Sequence, residues 1–292
     1  IEFAKNNPVS LESGTSHKMQ LVTGPANATD HRIKWTSSNK TAATVDENGT
    51  VTALRPIETV TITAVYKTNP ALTCSWNLKI TRTKGYITKQ MLDNLDLTAI
   101  KKVMITAHPD DETLWGGGHL IEGEYLVVCM THGWNPKRRT AFEQTMRTTN
   151  DKYLILDYPD VRKTFSNGKY ETDMLSTCKN AMQEDINLIL SYKKWDLIAT
   201  HNPFGEYGKY LHKTISQMVT QCYNKMTNKS ATLYYFGRYY NSSNKIPGEQ
   251  IAPELLAIKN SMVDRYYPTA KGAIVAFGHM IPYENWLLPS EW

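Results

Sequence analysis

His108-Pro109-Asp110-Asp111-Glu112 sets one imidazole beside adjacent carboxylates within five residues. The preceding run, Val103-Met104-Ile105-Thr106-Ala107, is apolar and short, as a buried strand would be. Residues just past the carboxyl end of a parallel strand point into the crevice where α/β enzymes carry out their chemistry. There His108 and one aspartate can hold a metal ion while the other aspartate stays free as a base. The competing reading is a Pro-Asp turn whose carboxylates cap the helix that follows.

A second run has the same form. Trp195-Asp196-Leu197-Ile198-Ala199-Thr200 reads as a strand and leads into His201-Asn202-Pro203-Phe204-Gly205-Glu206-Tyr207-Gly208-Lys209-Tyr210-Leu211-His212. His212 falls in the first turn of a helix expected to run to about Met226, with Leu211, Ile215 and Val219 at helical spacing. Two histidine-bearing strand ends on one sheet edge make a metal site of His108, Asp111 and His212 the economical account. Two histidines and a carboxylate also describe the facial triad of non-haem iron oxygenases. The spare adjacent carboxylate favours hydrolysis over oxygen chemistry.

At these residues the chain resembles the zinc-dependent de-N-acetylases of the PIG-L type, the LmbE-like family. The resemblance rests on Ala107-His108-Pro109-Asp110-Asp111-Glu112, on Gly205-Glu206-Tyr207-Gly208, and on the histidine four residues beyond Gly208, and it covers roughly residues 98–292. It implies that His108, Asp111 and His212 hold Zn2+ and that Asp110 is the general base. It further implies hydrolysis of the N-acetyl group of N-acetylglucosamine-type sugars in a glycan or glycoconjugate. Asp160, in Leu156-Asp157-Tyr158-Pro159-Asp160, is similar to a substrate-contacting acid of the family, and Glu143 is a weaker echo.

One position departs from the family. Lys209 stands where its members commonly carry a histidine that stabilises charge developing on the substrate. A lysine supplies a cation and hydrogen-bond donors, so either Lys209 takes over that role or Tyr207 and the metal carry it. A solvated Lys209 is the plain alternative. A degenerate pocket that binds glycans without turnover is the competing functional class.

Other candidates line the expected crevice. Lys137-Arg138-Arg139 opens a helix, where cations oppose the macrodipole, so Arg138 and Arg139 are candidate contacts for an acidic or hydroxyl-rich ligand. Glu206 joins them as a substrate contact. Near the end, Phe277-Gly278-His279-Met280-Ile281-Pro282-Tyr283-Glu284-Asn285-Trp286 offers His279 and Trp286 for a sugar platform. The same Tyr283 and Trp286 could instead pin the tail to the core.

These residues need a scaffold. Strands expected at 102–107, 125–131, 195–200, 231–237 and 272–277 alternate with helices near 113–122, 137–152, 178–192, 208–226 and 252–266. That pattern predicts a doubly wound, Rossmann-like α/β domain with a mostly parallel sheet. Gly116-Gly117-Gly118 lacks the spacing of a nucleotide loop and reads as a place of close helix packing.

The first part of the chain is of another kind. Val60, Ile62 and Ala64 alternate with threonines, and Trp76, Leu78 and Ile80 alternate with polar residues, as in strands with one buried face. Asn48-Gly49 predicts a tight type I′ hairpin. A small Ig-like β-sandwich follows. The stretches 33–39 and 43–54 resemble the bacterial Ig-like group 2 domain, over about residues 8–83. Such modules are usual on exported proteins and imply a secreted or surface-held location, with contact to cell-wall or surface glycans. The domain limits expected are 1–83 for this module, 84–97 for a linker with a short helix over 88–95, and 98–292 for the α/β domain.

Thirty-three basic and twenty-eight acidic residues leave a net charge of +5, spread along 292 residues. No basic stripe or nucleic-acid motif is present, so nucleic acid is not an expected partner. No apolar run reaches the roughly 20 residues that span a bilayer. The four cysteines, Cys74, Cys129, Cys178 and Cys222, form no C-x-x-C pair, and a Cys178–Cys222 bridge is not arguable from spacing. An opening at Ile1 fits removal of an export signal without establishing it.

Overall fold

The computed structural model describes residues 1–24, 32–160, 173–227 and 229–292, and divides into two compact units. The first holds residues 1–84 together with 163–181, and the second holds 85–162 and 182–292.

The first unit is all-β in its opening stretch. Its strands are β1 (Glu2–Phe3), β2 (Ser10–Glu12), β3 (Ser16–Lys18), β4 (Leu21–Val22), β5 (Ile33–Ser37), β6 (Ala43–Val45), β7 (Thr50–Ala53), β8 (Ile57–Tyr66) and β9 (Thr73–Thr81). They form a four-stranded sheet in the order β2-β9-β8-β5, a three-stranded sheet β3-β7-β6 and the pair β1-β4. The expected alternation holds: Val60, Ile62, Ala64, Leu78 and Ile80 are wholly buried in one cluster with Val51 and Phe3. Each of the larger side chains among them contributes about 1.5–3 kcal/mol by leaving water, which is how this unit is held without a disulfide.

The hairpin differs from the type I′ turn expected. Of its residues only Gly49 has positive φ, +80°, and the Asp46 carboxylate accepts from the Asn48 and Thr50 amides at 2.9 and 2.7 Å. A side-chain acceptor at Asp46 stabilises an ordinary turn closed by one left-handed glycine, so Asn48 is spared the positive φ. The ring of Trp35 lies where a Cβ at Gly49 would sit, which bars any larger residue.

In the second unit the elements are α1 (Lys89–Asp93), β10 (Lys102–Thr106), α2 (Asp111–Ile121), β11 (Tyr125–Thr131), α3 (Pro136–Thr149) and β12 (Lys152–Tyr158). The short α4 (Asp173–Ser176) and the opening residues of α5 (Lys179–Tyr192) fall in the first unit, and the second continues with the rest of α5, β13 (Leu197–Thr200), α6 (Gly205–Gly208), α7 (Tyr210–Lys225), β14 (Thr232–Tyr235) and α8 (Pro253–Phe277). Five strands make one sheet in the order β12-β11-β10-β13-β14, and every pairing is parallel. The chain order reverses between β10 and β13, so their carboxyl ends open side by side.

Period-two alternation assigns the two sheet faces. Met104, Val127, Cys129 and Ala199 share a core with Trp115 and Leu120 of α2, Phe142 and Met146 of α3, and Val263, Tyr266 and Ile274 of α8. Val103, Ile105, Leu126, Val128 and Ile198 have the opposite parity and are equally buried, and α7 packs on β10 and β13 through its own buried face of Leu211, Ile215 and Val219.

Two expectations fail. Residues 272–277 are helix, because α8 runs on through Pro268 with a local break at Ala270 (φ −130°). A short apolar run cannot by itself distinguish a strand from a buried helical segment. Conversely, Lys152–Tyr158 is a strand, beginning where the expected helix 137–152 ends, and no strand was expected there. It lies at the sheet edge with Tyr153, Leu154 and Ile155 only half-buried, so its apolar signal is diluted.

Candidate metal centre

Four segments meet at the carboxyl edge of the sheet. His108 follows β10, Asp111 opens α2, His201 follows β13, and His212 is the third residue of α7. The Asp111 carboxylate accepts the His108 amide at 2.8 Å, which folds the turn so that ring and carboxylate face the same point. His108 Nδ1 lies 3.1 Å from Asp111 Oδ2 and 3.0 Å from His212 Nε2, and His212 Nε2 lies 3.4 Å from the same Oδ2. A tetrahedral ion with bonds of about 2.0–2.1 Å needs donor atoms roughly 3.4 Å apart, so the three atoms fit such an ion with little movement.

The remaining ring nitrogens fix how these ligands are presented. His108 Nε2 meets Asp160 Oδ1 at 2.9 Å, and His212 Nδ1 meets Glu206 Oε2. Each imidazole therefore has a carboxylate behind it and its inner nitrogen free for a cation, the arrangement that metal-binding histidines ordinarily show. Glu206, expected as a substrate contact, has a wholly buried side chain that takes His201 Nδ1 at 3.0 Å and the Asn202 amide at 3.0 Å, so it orients the two histidines. Its backbone has φ +54°, a rare conformation for a non-glycine residue and one held here by these bonds.

Asp110 stands apart from its neighbours. It is buried, has φ +146°, and makes no side-chain cap to α2, so the capping reading of the Pro-Asp turn does not hold for it. Among the described residues no group donates a hydrogen bond to its carboxylate. Burial and the adjacent Asp111 charge push its pKa upward, partly offset by Arg138, while Asp111 is held low, against its burial, by the histidines around it. Burial opposes charge on His108, yet Asp160 and Asp111 outweigh it and hold its pKa up to about 9. The same field that favours a proton there favours a metal cation.

Tyr207 and Lys209 border the cluster. The Tyr207 ring packs edge-on to His212 at 5.7 Å and is 42% exposed, and burial together with the carboxylates around it raises its pKa. Lys209 is half-buried and close enough for its charge to lower the Asp160 pKa, so it faces the site rather than open water. Arg138 is turned the same way: it donates to the Thr269 carbonyl at 3.2 Å and its charge reaches Asp110.

Three expected contacts lie elsewhere. Arg139 folds back to donate to the Gly133 carbonyl at 2.6 Å and bridges weakly to Glu143. His279 bonds the Tyr240 carbonyl at 2.8 Å and fastens that loop. Trp286 stacks on His119 and donates to the Trp115 carbonyl at 2.8 Å, so it serves the tail-pinning role. Trp286 thus lies along the Gly116–His119 stretch of α2, away from the end that carries Asp111.

Two histidines were missed as site residues. His132, after β11, lies 5.7 Å from His108 ring to ring, and His201 is stacked on His212 at 3.8 Å. The signal was present: Ala107-His108, Thr131-His132 and Thr200-His201 each put a histidine at or next to the end of a neighbouring strand. His201, Glu206 and His212 also cluster closely enough to share an ion, but both His201 nitrogens are already bonded within the protein.

Residues 3–75 match the bacterial Ig-like domain (group 2). The chain is 31% identical over 175 residues to the uncharacterized protein L374 of Acanthamoeba polyphaga mimivirus, covering 54% of this chain and 67% of that one. It belongs to the same family as that viral protein. An uncharacterized protein of Clostridium acetobutylicum is 32% identical over 115 residues, which is 39% of this chain and 12% of the bacterial protein. Among solved structures, the conserved protein TT1542 from Thermus thermophilus aligns with 66% of this chain and 96% of its own, at 12% identity and a TM-score of 0.45. Among the described residues, no helix is long and apolar enough to cross a membrane.

Proposed function

We propose that the second unit is a zinc-dependent hydrolase of the PIG-L/LmbE-like kind, which removes the N-acetyl group from N-acetylglucosamine-type sugars in an extracellular glycan or glycoconjugate. The observation that carries it is the meeting of His108 Nδ1, Asp111 Oδ2 and His212 Nε2 beside a carboxylate, Asp110, to which no described residue donates a hydrogen bond. The strand order, reversing between β10 and β13, supports a doubly wound, Rossmann-like reading of residues 98–292, with 84–97 as the linker.

His108, Asp111 and His212 would hold the ion. Zinc so bound supplies a Lewis acid and acidifies a water to a pKa of about 7. Asp110 takes the proton of the attacking water as the oxygen adds to the amide carbonyl carbon. It returns that proton to the nitrogen as the C–N bond breaks, so that acetate and a free amine leave. Tyr207 and Lys209 donate to the oxygen that gains charge, and Lys209 stands in for an imidazole at that task. The charge of Arg138 partly offsets the burial and the Asp111 charge that raise the Asp110 pKa. The Ig-like unit spaces or attaches the catalytic unit on an exported, surface-associated protein.

The test is acetate release from an N-acetylglucosamine oligomer by zinc-loaded protein, abolished in His212→Ala. Binding of the oligomer with no acetate released would make the protein a glycan-binding module. A strict need for iron and oxygen would make it an oxygenase.

A further inference from the structure

We infer that His201 is a positioning residue that holds Glu206, and through it His212, in the orientation a metal ion requires; this rests on the metal centre proposed above. His201 is wholly buried and both its ring nitrogens are engaged. Nε2 accepts the Ala107 amide at 2.9 Å, and Nδ1 donates to Glu206 Oε2 at 3.0 Å. With the Ala107 amide directed at Nε2, the ring presents its Nδ1 proton to Glu206, and the two bonds fix the orientation of the ring.

Those two bonds join the pieces that carry the ligands. Ala107 is the residue before His108 at the end of β10, whereas Glu206 belongs to the strained turn before α7. β10 and β13 run side by side with Ile105 opposite Thr200, which puts the ends of both strands within a side chain's reach. The ring of His201 lies flat against that of His212, 3.8 Å away with 28° between planes, which brings both imidazoles to the same Glu206 oxygen. One Glu206 oxygen serves both histidines. Its second oxygen takes the Asn202 amide, and the Asn202 side chain in turn accepts the Glu206 amide at 3.0 Å. Glu206 is thus fixed on every side, and His201 ties it to the backbone amide of Ala107 as well.

The experiment measures Co2+ affinity and the visible absorption of the Co2+ form in the full chain, with the folding of each chelated variant followed by circular dichroism. His201→Leu should bind Co2+ about 10–100-fold more weakly, the usual cost of losing an outer partner of a ligand, with an altered Co2+ spectrum. His201→Gln, whose amide can accept from Ala107 and donate to Glu206, should keep most of the affinity. In a Glu206→Gln background, adding His201→Leu should cost nothing further. That double variant leaves no unpaired buried carboxylate, so it carries the test where the single leucine variant fails to fold. Wild-type affinity and spectrum in His201→Leu, or a further tenfold loss in the Glu206→Gln background, overturns the inference. Failure of the wild-type protein to bind Co2+ or Zn2+ removes the metal centre itself and this role with it.

Discussion

Helix α2 has a buried polar cluster at each end, and the two are built on opposite plans. At its far end the helix breaks at Gly116, where φ is −150°. In an unbroken helix the His119 amide would donate to the Trp115 carbonyl. Here the Trp286 indole takes that carbonyl at 2.8 Å, and Glu284 takes the His119 and Gly118 amides at 3.1 and 2.6 Å. Lys259, itself wholly buried, neutralises Glu284 at 2.6 Å. Each of these charges and freed backbone groups has its partner. At the Asp111 end the carboxylates outnumber the cations, three donor atoms crowd within 3.4 Å, and no described residue donates to Asp110. Burying charge without its complement is costly, and a fold tolerates it where a ligand supplies the missing charge. The closed end is therefore structural, and the open end is where function is to be sought.

Neutralising Asp110 is the sharpest way to break this contrast. Asp110→Asn should lower acetate release about 100-fold to 10,000-fold while zinc stays bound and stability is kept or improved, because a buried carboxylate without donors is removed. Near-normal turnover would remove Asp110 from the mechanism. At the other end the expectation is reversed. Lys259→Met leaves Glu284 buried and uncompensated and should cost about 3–5 kcal/mol in denaturant unfolding, with partial recovery when Glu284→Gln is added, since its neutral amide oxygen can still accept from the Gly118 and His119 amides. A Lys259 variant that unfolds like wild type would show that this pair is not what closes the break.

The open end should also titrate with its metal. His108, raised to about 9 by Asp160 and Asp111, carries a proton below that pH in the metal-free protein. Metal binding must expel that proton, so affinity should fall about tenfold for each pH unit as the pH drops below about 9. Asp160→Asn removes the stronger of the two carboxylate influences and should move the bend in that profile downward. An affinity flat from pH 6 to 9, measured by competition with a chelator, would mean that His108 is not the ligand.

The open end was also the more legible in sequence. His108, Asp110 and Asp111 lie within four residues at the end of a plain apolar strand, and a second histidine-bearing strand end on the same sheet edge was enough to group them with His212. His201 and His132 escaped because each looks like an isolated histidine until the strand order β11-β10-β13 sets their ends side by side. Glu206 was read as a substrate contact because its burial depends on a turn at φ +54° that no propensity announces. The closed end was invisible: Lys259 and Glu284 are 25 residues apart, and nothing local says that a lysine will be buried. α8 itself was expected over 252–266, whereas it runs on through Pro268 to Phe277 with a local break at Ala270.

The smallest effect separates the two ends most cleanly. Trp286 is the one aromatic residue that the sequence offered as a sugar platform and the structure assigns to the closed end. Trp286→Phe keeps a ring against His119 but removes the indole N–H, leaving the Trp115 carbonyl without the partner it needs at the Gly116 break. The expected cost is about 1 kcal/mol of stability, the net worth of one buried hydrogen bond. KM for an N-acetylglucosamine oligomer should not change, because the ring is not at the site. A rise in KM with stability untouched would move Trp286 back into the crevice and require the metal centre and the Gly116 break to be treated as one region.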